Sequence, residues 1–248
     1  MEYLGKFGTF VLNIWRFFYE SFFQHSGAFF TRVFEAPGES FFEALFVLFL
    51  VACAASVLLG LLLSVIKLSP MPFINSIQTL TRFFAYVGGW LIAILIIAMV
   101  YEVIARYFLD APTSWAFEMA YMLMGTSFMF GIAFCLQLKR HIRVDFVYDN
   151  VGDRGRAIID LLGYVILVPM VVWLCAGLWS YFEEAYRVNE LSGESAWNPI
   201  IWPFKFAFVI GFVLLLLQII VEILKCVMAL FGVSVPEPKA VEVDAHGH

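Results

Sequence analysis

The chain has 248 residues, of which 62% are hydrophobic and only 14% are charged, whereas soluble domains carry about 25% charged residues. Its net charge of −5 gives no support to nucleic-acid binding, which needs a basic surface. Long uncharged runs account for the composition, and they lack the polar and apolar alternation of barrel strands. Because helices satisfy their own backbone hydrogen bonds in lipid, the sequence predicts an all-α integral membrane protein.

Residues 1–40 are predicted to form an amphipathic segment. Between residues 3 and 24, apolar residues such as Phe7, Trp15 and Phe22 recur at helical spacing, with charged residues mostly on the other face. This pattern is typical of a helix that lies in the membrane interface. The same apolar face could instead pack against other helices of the protein, and the sequence leaves both interpretations open.

Residues 41–67 are predicted to form an extra N-terminal transmembrane helix. Residues 44–66 carry no charge, and about 20 apolar residues suffice to cross the hydrocarbon core. Pro70 and Pro72 then indicate a turn. We therefore expect residues 68–82 to be a linker. The distribution of basic residues described below places this linker in the cytoplasm.

Four further runs predict a four-helix transmembrane core at residues 83–230. The runs are residues 83–101, 119–138, 161–182 and 206–221, and the last helix is expected to continue past Glu222 to about residue 230. Residues 231–248 contain prolines and several charges without periodicity, so we predict a disordered C-terminal tail.

Basic residues predict the orientation of the chain. The loop at residues 139–156 carries five Lys and Arg residues, and cytoplasmic loops are enriched in such residues. This assignment places the four glutamates of residues 183–203 outside. The N-terminus is also outside if residues 44–66 cross the membrane, a point that the sequence leaves open.

No residue pattern predicts catalysis, a cofactor or a metal. The four cysteines stand singly in apolar runs, and no histidine lies inside a predicted span to serve as a haem ligand. The sequence also lacks a phosphate-binding loop and a nucleophile with an adjacent base. We therefore expect neither enzymatic activity nor a bound cofactor.

Ionisable residues near the helix ends are the first candidates for a function, because charges are costly in a membrane. Arg106 follows Glu102 by four residues and shares its helix face, which favours a structural ion pair over a solute ligand. Glu118 follows Trp115 by three residues. An acid in a first turn complements the helix dipole, and tryptophan favours the headgroup level.

Two tryptophans, Trp197 and Trp202, precede the last predicted helix, and Pro203 is suited to its first turn. They indicate either an anchored start of that helix or a docking surface for an external partner. Both interpretations remain open at this point.

A series of residues and short motifs occurs in a characteristic order around the predicted core helices. The series is Arg106-Tyr107-Phe108, Pro112, Trp115, Glu118, Gly125, Gly131, His141-Ile142-Arg143-Val144-Asp145, Pro199 and Trp202-Pro203. This order resembles the small membrane subunit of tripartite ATP-independent periplasmic (TRAP) transporters. The resemblance covers residues 83–230, whereas the chain before residue 83 departs from the family pattern.

The resemblance implies a multi-pass inner-membrane protein of bacteria that acts as a scaffold for a large transport subunit. A periplasmic substrate-binding protein would deliver the solute, usually an organic acid, and a sodium gradient would drive uptake. We expect eight residues to contact these partners or to stabilise the structure, and membrane lipid to surround the bundle. These residues are Arg106, Trp115, Glu118, His141, Arg143, Asp145, Trp197 and Trp202. The alternative hypothesis is an anchoring subunit of a respiratory membrane complex.

Overall fold

A computed structural model describes residues 41–67, 69–138 and 151–233. In these ranges the chain forms five helices and a single isolated β-bridge, between Leu191 and Ile200. The helices are α1 (Phe41–Ile66), α2 (Met71–Phe108), α3 (Ala116–Gln137), α4 (Asp153–Arg187) and α5 (Trp202–Leu230). The predicted all-α fold is confirmed. The predictions for residues 1–40, for the loop residues 139–150 and for most of the C-terminal tail lie outside the described residues.

The four-helix transmembrane core is also confirmed. Helices α2, α3, α4 and α5 are each long and apolar enough to cross a membrane. The predicted extra helix is present as α1, which has 26 residues and therefore a length of about 39 Å. That α1 itself crosses the membrane stays a prediction.

Most of the expected linker at residues 68–82 is helical, because α2 already begins at Met71. That this segment lies in the cytoplasm stays a prediction. Pro72 occupies the first turn of α2, where its missing N–H is tolerated. Ile74 and Ile77 are buried and pack against Val221 of α5. Polar side chains between these isoleucines interrupt the apolar run, so hydropathy alone places the start of the helix too late.

The helices pack in the order α2, α3, α5 and α4, and α1 lies along α2. Phe84 of α2, Phe130 of α3 and Leu214 of α5 form one buried cluster. A second cluster joins Phe182 of α4 to Phe206 of α5. Helix α5 therefore lies at the centre of the bundle.

Two close approaches between backbones position α3 against its neighbours. The Ser127 hydroxyl of α3 donates a hydrogen bond of 2.8 Å to the Gly88 carbonyl of α2. On the other side, a Cβ at Gly211 of α5 would stand only 2.7 Å from the Met129 carbonyl oxygen. Small residues allow such approaches in membrane proteins, so these contacts help to set the spacing of α2, α3 and α5.

Candidate partner-binding surfaces

The end of α2 carries a buried carboxylate that organises the turn into α3. Glu102 Oε1 accepts hydrogen bonds from Arg106 Nε at 2.9 Å and from Nη2 at 2.5 Å. The second oxygen accepts from the backbone N–H of Thr113 at 3.1 Å and from its hydroxyl. The Glu102 side chain is 8% exposed, whereas that of Arg106 is 55% exposed. The predicted ion pair is therefore confirmed, and it also holds the α2–α3 turn through Thr113.

Trp115 and Glu118 lie next to that turn but in different environments. The Trp115 ring stacks on Tyr101 of α2, with 5.9 Å between the ring centroids. Glu118 lies in the first turn of α3 and is completely buried. Its two carboxylate oxygens, and the hydroxyl of Tyr121 one turn later, have no hydrogen-bond partner within the described part of the chain. Glu118 therefore lacks the contact with water that a simple helix-start acid would have.

The α4–α5 loop, residues 188–201, is held by its own hydrogen bonds. The Ser192 N–H donates to the Pro199 carbonyl at 3.0 Å, and the Gly193 N–H donates to the Asn198 side-chain carbonyl at 2.8 Å. The backbone N–H of Ile201 donates to the Glu190 carbonyl at 2.9 Å. The loop therefore presents a defined surface at this end of the bundle.

The two tryptophans near this loop have different surroundings. Trp202 packs edge-on against Tyr186 of α4, with 5.3 Å between the ring centroids, and also contacts Phe182. Trp197 as a whole residue remains 42% exposed. Trp202 therefore belongs to the packing between α4 and α5, whereas Trp197 lies on the surface.

Lys205 is a residue that the sequence interpretation missed. It is 5% exposed, and its Nζ lies 2.5 Å from Glu190 Oε2 and 3.6 Å from the centroid of the Tyr181 ring. A signal for it was present, because a lysine in the first turn of α5 opposes the helix dipole and therefore needs a carboxylate or an aromatic face nearby. This contact ties the α4–α5 loop to both helices.

A lateral groove runs between α2 and α3 on the outside of the bundle. Its volume is about 800 Å³, and its lining includes Gly88, Gly89 and Gly131. A Cβ at Gly89 or Gly131 would meet nothing within 4 Å. The lining also includes large aromatic side chains that are strongly exposed, Tyr86 of α2 at 63% and Phe128 of α3 at 61%. The glycines make the groove deep enough for another backbone to approach.

A buried polar layer lies at the opposite end of the bundle. The Thr81 hydroxyl of α2 donates to Gln137 Oε1 of α3 at 2.8 Å. On α5, Glu222 Oε1 accepts from Gln218 Nε2 at 2.9 Å and from Lys225 Nζ at 2.6 Å. All five side chains are buried. The Thr81–Gln137 bond joins α2 to α3, whereas the contacts of Glu222 all lie within α5.

His141, Arg143 and Asp145 lie outside the described residues, so their expected contact with a partner or structural role stays a prediction. Among residues 41–67, 69–138 and 151–233, no three His, Cys, Asp or Glu side chains stand close enough together to bind a metal ion.

An apolar bundle of four spans, with folded loops and a lateral groove, defines a multi-pass membrane subunit. The family model described as "Tripartite ATP-independent periplasmic transporters, DctQ component" matches residues 95–228, more than half of the chain. The chain therefore belongs to this family of small TRAP-transporter membrane subunits. Members of the family work with a large membrane subunit and a substrate-binding protein. None of the curated proteins matches the chain.

The matched segment begins inside α2 and ends near the C-terminal end of α5. Helix α1 and residues 71–94 of α2 lie outside it. The family match agrees with a non-enzymatic membrane component of a transporter, and it does not account for α1.

Proposed function

We propose that this chain is the scaffold subunit of a sodium-coupled, binding-protein-dependent secondary transporter for an organic acid. It lies in the bacterial inner membrane with residues 139–156 in the cytoplasm. The large transport subunit binds along the groove between α2 and α3. The single observation that supports this proposal most is that groove, because it combines exposed apolar side chains with glycines in a member of a transporter family.

Exposed apolar side chains alone would suit lipid as well as a protein partner. Glycines favour the protein partner, because small residues let two helix backbones approach closely in a membrane. Gly89 and Gly131 line the same groove, and a Cβ at either position would meet nothing within 4 Å. A helix of the large subunit that lies in the groove would cover them together with the neighbouring aromatic residues of α2.

The helices themselves support a scaffold role over a solute pathway. Transport sites usually contain broken helices or polar groups near the middle of the membrane. Helix α4 continues without a break through Pro169. The paired charges of the described spans, such as Glu102 with Arg106 and Glu222 with Lys225, lie toward helix ends. Solute passage is therefore proposed for the large subunit.

The α4–α5 loop is proposed to contact the substrate-binding protein. Its hydrogen bonds hold a defined shape, and Trp197 and Glu194 are exposed on it. A tryptophan beside a carboxylate is a suitable contact for a partner that offers an apolar patch next to a basic residue. Trp115 and Glu118 would shape the neighbouring rim.

Co-purification tests the groove. The tagged chain is co-expressed with the large permease subunit of its own transporter and extracted in mild detergent. Gly131→Phe fills the groove, whereas the matched control Gly163→Phe places the same ring on α4, where a Cβ also meets nothing within 4 Å. We expect Gly131→Phe to lose most of the large subunit and Gly163→Phe to retain it. Equal recovery with both variants, or no large partner with the unaltered chain, would contradict the proposal.

Two further measurements address the remaining parts of the proposal. Uptake by proteoliposomes that hold both membrane subunits, with the binding protein added, should require an inward sodium gradient and no ATP. A haem absorbance band in the purified chain would instead support the respiratory anchor, which no observation on the described residues favours. Arg143→Ala should weaken assembly or uptake if the cytoplasmic turn contacts the large subunit.

A further inference from the structure

An apolar cleft lies between α1 and α4 and is closed at its base by α2 and α5. Its volume is about 270 Å³. Helix α1 contributes Cys53, Ala54 and Val57 to one wall, and α4 contributes Cys175 and Trp179 to the other. Helix α1 packs along α2 and α4 packs along α5, but α1 and α4 are not among the closely packed helix pairs. The cleft therefore separates these two helices.

The lining identifies the chemistry of the occupant. Its side chains come only from aliphatic, aromatic and cysteine residues, so a ligand with charged or strongly polar groups would lose its hydration without compensation. Apolar cavities of this kind also stay free of water. An alkyl chain would fill the cleft and gain the dispersion contacts that an empty space lacks.

The depth of the cleft distinguishes a lipid tail from a headgroup. Cys175 lies five residues from the midpoint of the 35-residue helix α4, one of the four helices able to cross a membrane, which is about 7.5 Å at 1.5 Å per residue. A headgroup remains at the membrane surface, about 15 Å from the centre of a 30 Å hydrocarbon core. Only the hydrocarbon part of a lipid reaches this level, and acyl chains surround any membrane-embedded helix bundle.

We infer that the cleft binds one acyl chain of a membrane lipid, held between α1 and α4. Helix α1 lies outside the family-matched residues 95–228, so this site is an addition of the present chain to the four-helix core. The bound chain would join α1 to the rest of the bundle on the side that α2 does not cover. The inference does not depend on the proposed transport role.

Photolabelling tests the inference on the full chain reconstituted in phospholipid nanodiscs. The probe is a phosphatidylcholine with a diazirine in the middle of one acyl chain, and labelled sites are mapped by peptide mass spectrometry. Ala54→Phe places a ring in the cleft. Its matched control is Ala55→Phe, because Ala55 is also exposed on α1 but does not line the cleft.

We expect label at Cys53 or Val57 and at Cys175 or Trp179 in the unaltered chain. Ala54→Phe should reduce this label about tenfold, as for the loss of roughly 1.4 kcal/mol of binding, and Ala55→Phe should leave it unchanged. Equal labelling of the two variants would overturn the inference. So would the extraction of an apolar compound without acyl chains as the retained ligand.

The native cysteines give a second test that needs no cleft-filling variant. A disulfide requires Cα atoms within about 7 Å, so an acyl chain between α1 and α4 should prevent direct oxidation of Cys53 with Cys175. A long, apolar bifunctional thiol reagent should still join them. Rapid formation of the Cys53–Cys175 disulfide in nanodiscs would show α1 packed directly on α4 and would overturn the inference.

Discussion

Replacing Gly211 by alanine should force α3 and α5 apart. An ideal Cβ at this position would lie 2.7 Å from the Met129 carbonyl oxygen and 3.0 Å from its carbonyl carbon. Both are backbone atoms of α3, so no side-chain rotation relieves the overlap. One of the two helices must move, and α5 is the helix on which both α3 and α4 pack.

The size of the effect follows from two opposing terms. Overpacking a well-packed interior costs about 1–3 kcal/mol, and a rigid backbone neighbour favours the upper end of this range. Alanine recovers up to about 1 kcal/mol of helix propensity relative to glycine. The expected net loss is about 2 kcal/mol, which lowers the unfolding midpoint by roughly 4–8 °C in a chain of this size.

Thermal unfolding in detergent, followed with a thiol-reactive dye, measures this loss against two other glycines. At Gly177 a Cβ would meet nothing within 4 Å, so Gly177→Ala should leave the midpoint unchanged or raise it slightly. At Gly125 the nearest atom is Cε2 of the Phe204 ring at 2.9 Å, and because a ring can turn, Gly125→Ala should fall between the two. If Gly211→Ala has the same unfolding midpoint as Gly177→Ala, the reasoning is refuted.

Three further substitutions test the buried polar groups by the same unfolding assay. Glu102→Gln should lower stability, and by more than Arg106→Gln, because the arginine side chain is 55% exposed and the glutamate only 8%. Gln137→Leu should change stability by less than about 1 kcal/mol, because it also removes an amide nitrogen that has no partner among the described residues. Glu222→Leu should lower the free energy of unfolding by about 3–5 kcal/mol, because it leaves the Lys225 ammonium buried without a carboxylate. Adding Lys225→Met should restore most of that stability. Equal stabilities of the single and double variants at this last site would contradict the argument.

The helices were largely predictable because uncharged runs longer than about 18 residues have few alternatives to a membrane span. The start of α2 was missed for a physical reason. Polar residues such as Asn75 and Gln78 face partly outward there, while Ile74 and Ile77 contact α5. An amphipathic extension of a span interrupts the hydropathy signal without interrupting the helix.

Local pairs were accessible from the sequence, whereas contacts between helices were not. Glu102 and Arg106 are four residues apart, and helix geometry alone brings them together. Lys205 and Glu190 are fifteen residues apart and meet only because the α4–α5 loop folds back. Thr81 of α2 and Gln137 of α3 meet across two helices. The sequence alone does not specify this pairing, because it depends on how α2 packs against α3.

The placement of the buried polar groups bears on which part of the assembly moves. The Thr81–Gln137 hydrogen bond joins α2 to α3, and both side chains are buried, so a motion that separated these two helices would leave polar groups without partners. The Glu222–Lys225 pair lies within α5, so it stabilises that helix and does not resist motion between helices. Close backbone contacts at Gly88 and Gly211 add steric resistance to sliding between the same helices. A bundle braced in this way favours motion of a partner along its outer surface over rearrangement of its own core, which is the mechanical property that the proposed scaffold requires.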